Sequence, residues 1–447
     1  VEKIFSTLFF SKGSQQIIMV SPAKRNRNES LSFIRILGLA IIVVFFQNCP
    51  IATNPQDQDF FVDDDFSVHS TDSEQLTGSF NDFISSVYQA PADQKQALVD
   101  SFLHWADSTT GIPYIEDSTA YFFYVNGASP QVRVAGDFSG WDPTNQNLTN
   151  LSGTNLFYAG YQFENDARLD YKLVVNSNWI LDPLNPNTCR GGYGPNSELA
   201  MAGYIQPPEL ESYAIPHGSV FSTTFSDTTQ GRTRSVKIYT PPGYAESSES
   251  YRSIYFHDGS EQLSLAYTEN VLDFMISEAL IPPVIAIFVD PINRMEEYSY
   301  DYDFMGMFVN ELVPWIDDEY RTLPEAENRA VAGVSLGGLA SLLFTIQHPE
   351  VFGNCGAYSS AIWFGDIIDQ YEASQVLPVK IYMDAGTYEP SIYNSSISLR
   401  GILDDNSWEL SWRTWHEGHS WGAWRAHLDE SLTFFWPMVT SGIDDSY

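Results

Sequence analysis

Residues 329–344 read "RAVAGVSLGGLASLLF". Positions 330–334 are small or β-branched with no polar interruption, as in a strand buried on both faces, and the apolar residues from Leu336 onward follow helical spacing. Between strand and helix lies Gly333-Val334-Ser335-Leu336-Gly337, the G-x-S-x-G pattern. A turn this tight leaves no room for side chains at 333 and 337, which explains the glycines. Ser335 is then exposed on strained backbone, and the N–H of Leu336 faces outward from a helix N-terminus, where developing negative charge is stabilised. The bare pentapeptide suits an idle glycine-rich connection equally well. The strand before it and the helix after it make it the turn of a nucleophile.

A serine hydroxyl is a weak nucleophile near neutral pH and needs a base, usually an imidazole oriented by a carboxylate. In a strand–turn–helix of this kind the partners follow in the order serine, acid, histidine. His69, His104, His217 and His257 precede Ser335, and His348 follows it before any acid-bearing strand end. His416, His419 and His427 remain. His427 is expected inside a helix starting near Trp421, and His416 closes the strand "LSWRTWH" as a structural neighbour. His419 follows Gly418 in the next loop and is the expected base. The spacing in "WHEGHSWGAW" is one residue short of the i, i+4 histidine pair of a zinc helix, so no metal is expected there. Glu417, between the two histidines, is expected to be solvated. For the acid, "VKIYMDAGTYEP" offers Asp384, late in the strand, and Glu389, in the loop beyond it. Glu389 is the better placed, Asp384 is the alternative, and a serine–histidine dyad is the third possibility. A second N–H for an oxyanion, beside Leu336, is expected from Gly259 or Ser260 in "YFHDGSEQ".

Working outward, strands and helices alternate from about residue 220: "SVKIYTPP", "RSIYFHDG", "PVIAIFVD", the serine strand, "GNCGAYSS", "VKIYMDAG" and "LSWRTWHEG", with helical runs between several of them. The fold class is therefore α/β over residues 220–440, with a mostly parallel sheet covered on both faces and a site beyond the carboxyl ends of its strands. Residues 115–205 hold several short strands without helices between them, as in a small all-β sandwich. Trp141 and Trp179 of that sandwich are expected in its core in preference to a sugar-stacking surface. Residues 76–114 read as two short helices broken at Pro91.

Residues 1–49 read as an export segment. Lys24, Arg25 and Arg27 follow Met19, the expected start, and precede the apolar run "ILGLAIIVVFF", too short for a comfortable membrane span. Cys49 stands where a bacterial lipoprotein is cut and acylated, although "FFQN" lacks the small residues that usually precede such a cysteine. The protein is expected to be exported, tethered to a membrane through Cys49 or secreted, with the acidic stretch 50–75 as a flexible tether. Cys189 and Cys355 fall in different domains and read as buried free thiols. The 57 acidic against 22 basic residues give a formal net charge of −35, which repels phosphate backbones and argues against nucleic acid as a partner.

The combination "YFHDG", "NRMEEYSYDYDFMGMFVNELVPWIDDEYRT", "RAVAGVSLGGLAS", "DAGTYEP" and "EGHSWGAWR" resembles the esterase family of α/β hydrolases that includes enterochelin (siderophore) esterases, feruloyl esterases, S-formylglutathione hydrolase and the mycolyltransferases. "PQVRVAGDFSGWDP" and "YKLVVNSNWILDPLNP" resemble Ig-like early-set modules related to glycogen-binding domains, found before such esterases. The resemblance implies an α/β-hydrolase fold and a triad of Ser335, Glu389 and His419. It implies no cofactor and puts the segment "NRMEEY" near the substrate. Asp258, Arg294, Glu297, Tyr298, Trp421 and Trp424 are the candidate substrate contacts. The loop "HDGSEQ" departs from the "HGGG"-like loops of lipases. The expected activity is hydrolysis of a carboxylic ester on a small molecule or polysaccharide, first a feruloyl- or acetyl-type carbohydrate ester, second a siderophore lactone. An acyltransferase with the same triad and a non-catalytic carbohydrate-binding protein are the alternatives from other classes.

Overall fold

The computed structural model describes residues 79–128, 130–211 and 213–438. The expected export segment, Cys49 and the acidic tether lie outside the described residues.

Two helices, Phe80–Gln89 and Lys95–Thr109, open the described chain. Ser79 caps the first, accepting from the Asp82 N–H while Asp82 reaches back to the Ser79 N–H. Phe80, Phe83 and Phe102 form one cluster with Tyr114, Phe123 and Leu156, so the pair covers one side of the β sandwich that follows. One sheet of the sandwich runs in the order β1 (Tyr114–Glu116), β2 (Thr119–Val125), β5 (Leu156–Gln162), β4 (Thr149–Asn150). The other runs β3 (Val132–Gly136), β6 (Arg168–Val175), β9 (Gly194–Ala200), β8 (Thr188–Gly191), with β7 (Asn178–Ile180) also on β6. All pairings are antiparallel, and Phe122 and Phe157 from one sheet meet Val134, Leu169 and Leu173 from the other.

The two tryptophans do not fill this core. Trp179 is 45% exposed on the three-residue strand β7, and Trp141 lies beside it with ring centroids 6.3 Å apart. Trp141 is held outside by its left-handed backbone and by the bond from its Nε1 to Asp137 Oδ1 at 3.0 Å.

The second domain is built on one eight-stranded sheet in the order β10 (Ser219–Ser226), β11 (Thr233–Thr240), β13 (Val284–Val289), β12 (Arg252–His257), β14 (Arg329–Val334), β15 (Asn354–Tyr358), β16 (Lys380–Gly386), β17 (Glu409–Trp415). β12 through β17 pair in parallel, while β10 and β11 are antiparallel. β10 was not foreseen, because its Ser/Thr-rich "SVFSTTFS" sits half-exposed at the sheet edge and lacks a buried strand's pattern. Along β14, Val331 joins the apolar cluster on one face, and Ala330 and Ala332 the cluster on the other. This two-sided burial explains the uninterrupted apolar run. The crossover from β13 back past β12 to β14 makes the carboxyl ends of β12 and β14 neighbours, the switch point at which open α/β sheets bind ligands. Cys189 and Cys355 are free and buried. Among the described residues no helix is long and apolar enough to cross a membrane.

Candidate active site

Ser335 follows β14 with φ 58° and ψ −118°, a conformation non-glycine residues rarely adopt, and caps the helix Leu336–Gln347. Its N–H donates to Tyr358 O at 2.9 Å and its carbonyl accepts from Ala361 N–H at 3.0 Å, so both sides of the strained residue are tied to the neighbouring strand's end. A Cβ at Gly333 would stand 2.6 Å from the Gly337 carbonyl carbon, which no side chain tolerates. The demand at Gly337 is milder, with His257 Cβ at 3.2 Å as the nearest atom. Leu336 opens the helix, and its N–H belongs to the first turn, where no intrahelical acceptor exists.

Two strands along the sheet, Glu389 and His419 meet: Oε2 lies 2.5 Å from Nδ1. The other carboxylate oxygen accepts from Gly386 N–H at 2.6 Å and Ser359 Oγ at 2.5 Å, so the buried acid has partners on both oxygens. Ser335, Glu389 and His419 follow β14, β16 and β17 in turn, all at the carboxyl edge of the parallel sheet. Asp384 is turned elsewhere. It accepts from Ser359 N–H at 3.0 Å, and burial pushes its carboxyl up to about 7. His419 retains 36% exposure, and its ring meets Trp424 edge-on at 4.8 Å. With Nδ1 on the carboxylate, Nε2 is the nitrogen left to exchange a proton with a hydroxyl.

The other two histidines do different work. His416 Nδ1 lies 2.7 Å from Asp166 Oδ1 of the sandwich. His427 is not inside a helix: the helix Trp421–Arg425 ends before it, and His427 caps the next one, Leu428–Phe435. Its ring stacks on Trp415 at 3.7 Å, and its Nε2 meets Glu417 Oε1 at 3.1 Å. Glu417 is consequently buried and not solvated, because the imidazole supplies the partner that a carboxylate needs away from water. The Glu417 charge and hydrogen bond overcome the burial that opposes protonation and hold the His427 imidazole above its usual value.

In the loop after β12, Ser260 is engaged. Its N–H donates to Asp290 Oδ1 at 2.6 Å, which removes it from the expected oxyanion donors. Gly259 begins the helix Gly259–Ser264, and a Cβ there would overlap the Phe288 and Val289 backbone. Asp258, buried beneath, receives Arg294 through two bonds, Nε to Oδ1 at 2.7 Å and Nη2 to Oδ2 at 2.8 Å. Arg294 Nη2 also reaches Val334 O at 3.3 Å, one residue before the serine, and its side chain is 36% exposed. Of the candidate substrate contacts from "NRMEEY", Arg294 is therefore the accessible one. Glu297 is buried on Arg234, Arg232 and the Ile292 N–H, and the Tyr298 hydroxyl is buried accepting from Asp258 N–H at 2.8 Å. Both support the cleft from below. Trp421 is buried in the core, whereas Trp424 is partly buried and stands against His419.

Two residues were missed. Ser359 links Glu389 and Asp384, and a lone serine after a strand carries no signal in sequence. Tyr193 tips the hairpin between β8 and β9, is 93% exposed and lies in the neighbourhood of Arg294. β8 packs on the helix Trp421–Arg425, so this hairpin reaches the catalytic domain. A glycine-flanked tyrosine, "GGYGP", was its only cue. A cavity of about 470 Å³, lined among others by Arg252, Asn354, Lys380 and Trp436, lies at the opposite, amino ends of the strands. It holds neither a serine nor a histidine and is not the site.

Comparison with known proteins bears on the fold and on the class of reaction. A family model described as "Putative esterase" matches residues 226–435. The chain is 26% identical over 329 residues to the iron(III) enterobactin esterase of Escherichia coli strain K12, covering 65% of this chain and 82% of that protein. It is 25% identical over 285 residues to an endo-1,4-beta-xylanase/feruloyl esterase of Xylanibacter ruminicola, covering 59% of this chain and 38% of that longer protein. The crystal structure of the Shigella flexneri enterobactin esterase superposes with a TM-score of 0.64 at 21% identity, over 72% of this chain and 94% of that one, and so shares its fold. Residues 226–435 thus match the family described as "Putative esterase", and the chain is a carboxylic ester hydrolase with an α/β-hydrolase-like fold.

Proposed function

We propose that the protein hydrolyses its ester through an acyl-enzyme on Ser335, with His419 as base and Glu389 as its orienting acid. The observation that carries this reading is the 2.5 Å contact between Glu389 and His419 at the sheet edge that bears the strained serine. Ser335 Oγ attacks the carbonyl carbon and its proton passes to His419 Nε2. The tetrahedral oxyanion is stabilised by the N–H groups of Leu336 and Gly259. As the C–O bond breaks, the proton passes from His419 to the leaving alkoxide, and water repeats the sequence in reverse to release the acid.

For the substrate, a feruloyl- or acetyl-type carbohydrate ester is the first reading. A chain of net charge −35 repels a polyanionic, iron-loaded siderophore, and one relative carries feruloyl esterase in its name. The siderophore lactone is the second reading, supported by the similarity to enterobactin esterases over both domains, with the part-exposed Arg294, paired to Asp258 beside the end of the serine strand, as the nearest guanidinium. Export and attachment through Cys49 belong to the same proposal, as does an Ig-like, early-set relationship for the sandwich. The test is hydrolysis of methyl ferulate, acetylated xylan and an enterobactin-type trilactone side by side. Turnover of the trilactone alone rejects the first reading, and acyl transfer to an added alcohol in preference to water rejects hydrolysis.

A further inference from the structure

The loop bearing His419 is held from two sides: by Thr387 and Tyr388 N–H groups and His427 of its own domain, and by the β sandwich. Arg168, the first residue of β6 in the sandwich, donates its backbone N–H to His416 O at 3.1 Å and forms a parallel bridge with Glu417. Its guanidinium, 1% exposed, donates from Nη1 to Ser420 Oγ at 3.1 Å. One residue therefore grips the chain on both sides of His419. Ser420 in turn caps the helix Trp421–Arg425 through the Ala423 N–H, which fixes where the Trp424 ring meets His419. The glycines of this segment explain themselves by the same contact. A Cβ at Gly418 would overlap the Asp137 carboxyl, and one at Gly422 would overlap the Arg168 guanidinium.

The acid is held from the same side. Tyr388, adjacent to Glu389, donates its hydroxyl to Glu164 Oε2 at 2.6 Å, and its ring lies 6.3 Å from that of Phe163. With His416 on Asp166, residues 163–170 touch the loops of both the base and its carboxylate. The guanidinium is itself fixed, paired with Asp170 at 2.7 Å and with Glu198. A buried ion cluster of this kind contributes little net stability but tolerates only one geometry. It is suited to setting a position.

We propose that the β sandwich is part of the catalytic apparatus and that Arg168 is a positioning residue, fixing loop 416–420 so that His419 meets Glu389 and Ser335 in one geometry. This rests on the triad reading above. Misplacing a catalytic group by about 1 Å costs on the order of 10²-fold in rate without a matching loss of binding. The full chain carrying Arg168→Lys, which keeps the charge but cannot span Ser420, Asp170 and Glu198 together, is expected to lose about 10²-fold in kcat with KM little changed. Active sites are counted with a fluorophosphonate that reacts at Ser335, so that misfolded molecules do not enter kcat. A second variant, Asp166→Asn with Tyr388→Phe, alters two contacts at the domain junction that are not buried ion pairs and decides the question if Arg168→Lys fails to fold. It is expected to keep the wild-type melting temperature within a few degrees and to lose kcat several-fold. Unchanged kcat per titrated site in whichever variant folds, even with lowered stability, overturns the proposal. Failure of the triad reading looks different: the wild-type protein would not react with the fluorophosphonate, and Ser335→Ala would retain activity.

Discussion

Around Ser335 the constraints are local and made of backbone, whereas around His419 they are distant and made of charge. The serine's conformation follows from two glycines, a strand buried on both faces and a helix start within residues 329–347, together with backbone bonds to Tyr358 and Ala361 at the end of the next strand. The histidine's loop depends on partners such as Asp166, 250 positions away in the chain. Steric constraint of the first kind is rigid and indifferent to pH. Polar constraint of the second kind is adjustable, and each member needs its partner, because an orphaned buried charge costs several kcal/mol.

The comparison can be broken most severely at the nucleophile. Ser335→Ala is expected to lower kcat on a p-nitrophenyl ester by about 10⁶-fold, with the circular dichroism spectrum unchanged. Next comes the acid. Glu389→Gln should cost about 10⁴-fold in kcat, since His419 loses the carboxylate that fixes its tautomer, while Asp384→Asn should leave kcat within a few-fold. Equal losses in the two would reassign the acid. Third, Gly333→Ala should destabilise by about 1–3 kcal/mol in urea titrations through the overlap with Gly337. A neutral result would mean that the elbow is not sterically determined.

The smallest expected effect sharpens the contrast in pH. His257 is fully buried among Tyr298, Phe304, Phe308 and Phe344, and burial holds its imidazole down at about 3. A histidine depressed on folding binds fewer protons in the native state between that value and its ordinary 6.5, so its contribution is complete above 6.5 and is lost as pH falls toward 3. Asp384 runs the other way: raised to about 7, it favours folding at low pH and ceases to as pH rises through 7. His257→Phe should therefore flatten the loss of stability between pH 6.5 and 4, and Asp384→Asn should gain stability relative to wild type above pH 7. Urea midpoints across pH 4–8 measure both.

How much was legible depended on the kind of signal. The central strands β12, β13 and β14 are written as apolar runs, β11 and β17 only as β-branched and aromatic stretches, and two helices flank Pro91. Chain order alone narrowed eight histidines to three. Hydrogen-bond partners were not legible. Ser260 looked like a donor until Asp290 took its N–H, and Glu297 and Tyr298 looked like cleft residues until Arg234 and Asp258 were found buried against them. Glu417 is buried because His427, ten residues on, folds back against it, a contact that spacing in the chain does not announce.

By itself the sequence determined the sheet, the strained serine turn and the chain order of acid and base, because periodicity and glycine sterics act between neighbours. Only the tertiary structure decided that Glu389 and not Asp384 meets His419, that of the candidates Arg294, Glu297 and Tyr298 only Arg294 stays accessible, and that the sandwich contacts the loop of His419. Those outcomes depend on which polar groups approach through space. A carboxylate's identity in the chain says nothing of the cation, amide or imidazole that burial will bring against it.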